Sequence, residues 1–384
     1  MRYQRGFNLL DLLIGLAISM FAILAVAVVF RDFGQMRTTQ TQTSESQNNG
    51  TMALYLLEQD LSQAGFAMMG LQNCAYINYY FSGTGYYDTP YGTASLPGDA
   101  HTALTTLPVR IIDGGTASDT IEVQYGKTVS GVAGSEISGA VTYPGDYPVS
   151  SPVGFQVGDR AVANVSGKCT LVAITRDPTS ASTDNTVASP VHHRTGDPYN
   201  PASAPGGSGW NSVTSADMAA TPKPYLANLG SFVSHRYAVG NGSNQYALTL
   251  AELPALDTSS TVVDEIVFVK AQYGLSATST STSVASWVDG TTVIDNTSAA
   301  RVIAVRVGVV ARSPLLEKGP VDAPATLSIL PSVTTATSTL AAPSAGQCAT
   351  DTGTMEVKCT VPDTHYRYRS YSTIVPLKNV IWTR

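Results

Sequence analysis

The sequence predicts an α+β protein. One long N-terminal helix, apolar in its first half and amphipathic in its second, packs on an antiparallel β-sheet that carries large loop insertions. Three observations carry this. From Phe7 to Phe30 the chain is almost wholly apolar, no proline occurs before Pro90, and beyond Phe66 short apolar runs alternate with clusters of Gly, Ser, Thr and Pro. The implied organisation is a leader at 1–6, an apolar helix at 7–30, an amphipathic helix at 31–66 and a β-rich globular domain at 67–384.

The apolar helix would span about 36 Å, enough to cross a bilayer core of about 30 Å. Arg2 and Arg5 precede it without any acid. An ordinary secretory signal has a shorter apolar stretch and a small-residue cleavage site at its far end, and neither feature is present. An ordinary anchor has no use for Asp11 inside its apolar run, because a carboxylate in lipid costs a few kcal/mol unless it has a partner.

The helix is expected to continue beyond Arg31. Residues 38–49 are a Thr/Gln/Ser/Asn run, weakly helical and able to bend or stretch. From Met52 the apolar period returns, with Leu54, Leu57, Leu61 and Ala64 on one face and Gly65 as a stop. Strands are expected at 120–125, 159–165, 169–174, 265–274, 301–312 and 367–378, wrapped as one antiparallel sheet on the helix. Ser166-Gly167-Lys168 marks a hairpin. Residues 76–118, 126–155, 176–225, 275–298 and 319–365 read as loops rather than a second core.

Composition bounds the function. Charged residues are 13% of 384, about half the usual share of roughly 25%, and the net charge is −6. A general nucleic-acid binder needs a basic face, which is missing here. The cysteines, Cys74, Cys169, Cys348 and Cys359, form no C-x-x-C pair. In an exported chain they read as two disulfides. Three pairings are open; the short loop favours Cys348–Cys359, leaving Cys74–Cys169, and four buried thiols are the alternative.

No catalytic constellation and no cofactor motif emerge. Gly126-Lys127-Thr128 lacks the first glycine of a phosphate loop. Asp351-Thr352-Gly353 has no second copy to pair with and reads as a turn between two cysteines. Of the histidines, His101, His192, His193, His235 and His365, the adjacent His192 and His193, with Asp197 nearby, read as surface residues rather than metal ligands. Asp257, Asp264 and Glu265 lack the spacing of a calcium loop. Tyr76, Tyr79, Tyr80, Phe81, Tyr86, Tyr87 and Tyr91 crowd into a glycine-containing stretch. Such a loop makes a good contact surface, and packing of its rings on the protein's own sheet is the slightly stronger reading.

Gly6-Phe7-Asn8-Leu9-Leu10-Asp11-Leu12-Leu13-Ile14 resembles the signal of type IV prepilins. The resemblance implies cleavage by a prepilin peptidase between Gly6 and Phe7 and methylation of the Phe7 amine. It also implies an assembly role for Asp11, where the family usually has glutamate. The run from Asn49-Gly50 through Leu57-Glu58-Gln59-Asp60-Leu61 to Ala64-Gly65-Phe66 is similar to the stalk of PilW-like minor pilins. So are Gln272-Tyr273-Gly274, Arg301–Arg306 with Ala311-Arg312-Ser313, and Tyr371–Asn379, where Pro376 points to an edge strand or bulge.

The family implies a non-catalytic subunit that primes pilus assembly and sits at or near the tip. The partners it implies are other minor pilins, the major pilin, the inner-membrane assembly platform and a tip adhesin. It places the chain in the inner membrane first and then in the pilus. A pseudopilin of a type II secretion system shares the leader and stalk. A membrane-anchored adhesin or enzyme is the alternative of another class.

Overall fold

In the computed structural model the described residues are 9–68, 71, 74–88, 103–128, 131–132, 134–142, 145–176, 190–202, 212–241, 244–253, 258–290, 300–321 and 323–381. Helix α1 runs unbroken from Leu9 to Gln63, 55 residues or about 80 Å. It passes straight through the polar run. There the hydroxyls of Thr41, Thr43 and Thr51 donate to the carbonyls of Arg37, Thr39 and Gln47, one turn back.

The second half of α1 is the part that docks. Ser46, Gly50, Ala53, Leu57, Leu61 and Ala64 are buried at steps of three and four residues, one helical face. Leu57, Leu61 and Ala64 lie where the period places them. Leu54 sits at the flank, partly buried, and Ala53 takes the central position instead. The reason is closeness of approach. A Cβ on Gly50 would fall 2.3 Å from the ring of Tyr371, so helix and sheet meet there over small residues. Ser46 adds a hydrogen bond from its hydroxyl to the carbonyl of Ala311.

The docking floor is a four-stranded sheet, ordered β15 (Val284–Asp289), β14 (Ile266–Ser276), β16 (Val302–Arg312) and β20 (Tyr368–Pro376). Every residue of β14 is buried, and so is all of β16 except Arg312. Strands buried along their whole length need cover on both faces. Helix α1 supplies one cover. A small sheet of β17 (Thr326–Leu330), β19 (Val357–Thr360) and β18 (Cys348–Thr350) supplies the other, with Ile329 against Gly308. Strand β20 forms the edge, which accommodates Pro376 at its end.

A five-stranded sheet continues the floor: β13 (Ser260–Asp264), β12 (Asn244–Glu252), β11 (Val233–Asn241), β4 (Thr120–Tyr125) and β3 (Val109–Ile112). Both sheets and α1 share one core, including Leu57, Leu61, Ile121, Val123, Tyr273 and Val305.

The remaining large sheet has six strands, ordered β2 (Gly85–Tyr87), β1 (Ile77–Phe81), β8 (Lys168–Ala173), β7 (Arg160–Val165), β10 (Tyr225–Gly230) and β5 (Gly134–Glu136). Strands β7 and β8 form the expected hairpin. Ser166 and Gly167, at φ 50° and 82°, make the two-residue turn whose twist suits it. Alternation sends Val162, Leu171 and Ala227 into one core and Ala163, Val172 and Leu226 into another on the opposite face. A short ladder of β6 (Tyr147–Pro148) and β9 (Pro190–Val191) and the single turn of α2 (Ser215–Ala219) complete this lobe.

Two sequence expectations are therefore corrected. The six expected strands do not form one sheet; they fall in three. The segments read as loops supply β1–β3, β5, β6, β9, β15 and β17–β19, and with them additional cores. These strands are mostly two to six residues long and several pair with distant parts of the chain, so little local period announces them.

At its far end α1 stops at Gly65, φ 79°, whose N–H donates to the carbonyl of Gln124. The short helix α3 (Lys378–Ile381) lies beside it. Asn379 Nδ2 donates to the carbonyls of Gln63 and Ala64, left over at the helix end, at 3.1 and 3.3 Å. The close approach at Gly50 is testable. Gly50→Ala is expected to lower stability by about 1–3 kcal/mol in chemical denaturation, as overpacking does, and Tyr371→Ala in the same chain to recover part of it.

Candidate functional site: the apolar helix and its joint with the sheets

Leu12–Arg31 has a mean hydropathy of 2.9 and none of it is buried in the chain, so by length and composition it can cross a membrane. Leu9 to Phe33 expose apolar side chains all round the helix, a surface that water does not tolerate as a monomer. Gly6 and Phe7 lie outside the described residues. Asp11 lies within α1, in its first turns, and its side chain is outside the described set.

The other end of the helix carries a polar joint. Asp60, on the docked face, accepts the hydroxyl of Tyr125 at 2.9 Å on Oδ1. Its Oδ2 meets the hydroxyl of Tyr237 at 2.6 Å and Nδ1 of His235 at 2.5 Å. The opposite ring nitrogen, Nε2 of His235, lies 3.3 Å from Glu252. The helix is thus tied to β4 and β11 through one carboxylate, and His235 extends the joint to Glu252 of β12. Burial pushes Asp60 up, but the bonds from His235 and Tyr237 outweigh it and hold the carboxyl below its ordinary 3.8. Burial and the same carboxylate push the Tyr237 and Tyr125 hydroxyls up, so both remain donors. In the sequence Asp60 stands out only as part of a recognisable stalk. An acid three residues after the buried Leu57 is the signal that marks it.

The tyrosine-rich stretch divides in two. Tyr79 and Tyr87 are buried and stack at 4.3 Å, parallel to within 3°. They belong to the core, and as contact residues they are corrected. Tyr80 and Tyr86 pair at 4.9 Å on the other face of the β1–β2 hairpin and stay half exposed. Tyr91 lies outside the described residues. Cys74 is bonded to Cys169, fastening the entry of β1 to β8, and Cys348 to Cys359 across β18 and β19.

The histidine expectation is also corrected. His192 and His193 are buried, not on the surface. His192 Nδ1 lies 3.0 Å from the buried carboxylate of Asp146, which also receives Arg194 at 2.8 and 3.2 Å. His193 stacks on Tyr147 at 4.1 Å, and burial pushes it down to about 4, which keeps it neutral. Asp351 Oδ1 accepts the N–H groups of Gly353 and Thr354, the turn expected there. Glu265 pairs with Arg312, which is stacked between Tyr246 and Tyr366, and Asp257 lies outside the described residues. Among the described residues no group of three or more His, Cys, Asp or Glu is placed to hold a metal ion.

Residues 236–379 match the family model for type IV pilus-assembly protein W. The match begins in β11 and ends at Asn379, so it contains the four-stranded floor under α1 and the residue that caps the helix. Over those residues the chain is similar to that family. Among solved structures it is similar to the type IV-like pilin TTHA1219 from Thermus thermophilus, with 18% identity over 40% of this chain and 70% of that one, at a TM-score of 0.22. That score is too low to bear on the fold. No curated protein matches the chain.

The joint predicts a pH response. A carboxyl held below its ordinary value stabilises the fold above the unfolded value, about 4, and that contribution is lost as pH falls through the folded value. The stability difference between the wild type and Asp60→Asn is therefore expected to be full at neutral pH and to shrink between about pH 5 and pH 3 in thermal melts. A difference that stays constant over that window would mean that the charge of Asp60 carries none of it.

Proposed function

We propose that this chain is a minor pilin that primes type IV pilus assembly and is incorporated at or near the tip. One observation carries the reading. The PilW-like strands grip one half of a helix whose other half is exposed, apolar and long enough to span a membrane. A peripheral enzyme has no need of a helix that is rigidly docked at one end and naked at the other.

In this reading residues 1–6 are a leader removed by the prepilin peptidase between Gly6 and Phe7, and Phe7 is then methylated. Residues 7–30 hold the chain in the inner membrane and later pack among the same segments of other minor pilins and the major pilin. Asp11 neutralises the terminal amine of a neighbour, so correct axial register satisfies two ions at once in lipid. Residues 31–66 carry the helix into the domain at 67–384. The inserted lobe makes that domain bulky for a repeating fibre, which favours few copies and a terminal place. The assembly platform and a tip adhesin are the remaining partners, and Tyr80 with Tyr86 are the half-exposed aromatics available to one of them. The chemistry is structural, not catalytic.

A pseudopilin in a type II secretion system is the second reading, favoured by the same helix; neighbouring genes for exoprotein export would support it. An anchored adhesin or enzyme would instead act as purified residues 31–384, with piliation unaffected by its loss.

Deleting the gene is expected to leave the major pilin made and processed but few fibres on the surface; normal piliation would sink the priming role. Mass analysis of the mature protein should find methylated Phe7 at the terminus. Asp11→Asn should reduce entry into fibres several-fold while Asp11→Glu is tolerated, read by quantifying the subunit in sheared pili.

A further inference from the structure

Where the five-stranded sheet meets the four-stranded one, a lysine and an aspartate are buried against each other. Lys270, in the middle of β14, is 4% exposed in its side chain, and Asp119, just before β4, is 2% exposed. Lys270 Nζ donates a hydrogen bond to Asp119 Oδ1. Three more oxygens surround the amine: Asp113 Oδ1 at 3.2 Å, the carbonyl of Gly115 at 3.1 Å and that of Ala117 at 3.2 Å. Four acceptors meet a group with at most three protons, so one direction is surplus.

We infer that Lys270 and Asp119 condense into an intramolecular isopeptide bond, an amide between Nζ and Cγ, formed by the folded protein itself. The atoms balance without an added reactant. The ammonium of Lys270 and the carboxylate of Asp119 become one amide and one water. The Nζ–Cγ bond forms, one Cγ–O bond breaks, and two protons from Nζ leave on the departing oxygen. Nothing is oxidised or reduced.

The surroundings supply what that reaction needs. Asp113 Oδ1, within reach of Nζ, receives the proton that frees the nitrogen's lone pair and returns it to the leaving oxygen. The backbone N–H of Gly114 donates to Asp119 Oδ1 at 3.0 Å, and that of Ala271 to Oδ2 at 2.8 Å. Two fixed donors, one on each oxygen, stabilise the charge of a tetrahedral intermediate. Burial pushes Asp119 up to about 6 against the pull of Lys270, so its carboxyl is readily protonated, the form an amine attacks. Asp113 is partly buried, but Lys270 outweighs that and holds it below its ordinary value, so it stays the ionised relay. The loop from Asp113 to Asp119 is held in place at both ends. Gly115 N–H bonds back to Asp113, and Asp119 N–H to the carbonyl of Val269.

The bond would join β4 to β14 and so weld the two sheets under α1. Unlike a buried ion pair, whose attraction is largely cancelled by desolvation, an amide holds under steady tension. A subunit in a fibre that is pulled has a use for that.

The test is the intact mass of the full mature chain, reduced and denatured. The expected value is lighter than the sequence requires by one water, and proteolysis should release a branched peptide joining the Lys270 and Asp119 segments. Lys270→Arg, which keeps the cation but cannot condense in this way, should run at full mass. Asp119→Asn should lose ammonia in place of water. A wild type at full mass overturns the inference, and so does the water loss persisting in Lys270→Arg with no branched peptide.

Discussion

Everything in this protein hangs on how closely α1 lies against β16 and β20. Gly50 lets the helix touch the ring of Tyr371, and from that point the spacing of the sheets beneath is set. Ala53, Leu57, Leu61 and Ala64 can then all reach the common core. Burying a leucine side chain is worth roughly 1.5–3 kcal/mol, so Leu57 and Leu61 hold the helix more firmly than any one hydrogen bond. Asp60 adds direction to that strength. Its carboxylate meets Tyr125, Tyr237 and His235, so the helix can lie on the five-stranded sheet in one rotation and one axial position only.

The apolar half of the same helix depends on this grip. A rod of about 80 Å projects force only if one end is fixed. Gly65 with Asn379 closes the far end of the rod, and the stacked sheets hold its second half. The inserted six-stranded lobe is a separate matter of packing. It has its own cores on both faces of its sheet and a disulfide at the entry of β1, and it contributes little to gripping the helix.

Much of this was legible in the sequence wherever a long element repeats its period. The helix, its stop at Gly65, the β7–β8 hairpin and the buried strands β14 and β16 all follow from periodicity and turn chemistry. What was not legible depends on distant pairing. Ile77 pairs with Cys169 in a parallel ladder, and Ser135 with Leu226, and nothing local in those segments distinguishes strand from loop. Likewise His192 and His193 looked like surface residues because their partners, Asp146 and Tyr147, lie in a different insertion. Asp60 was visible as a residue but not as a joint, since its three partners come from β4 and β11.

The cap at the end of α1 has a consequence for how the molecule comes into being. The amide that closes the helix belongs to Asn379, and the strand that lies under Gly50 spans Tyr368–Pro376. Both are synthesised long after the helix itself. Until they are in place, the docked face of α1 lacks part of its floor and β16 has no outer neighbour. Folding therefore ends in a single late closing step, and a chain stopped short of residue 368 would stay open and exposed to proteases.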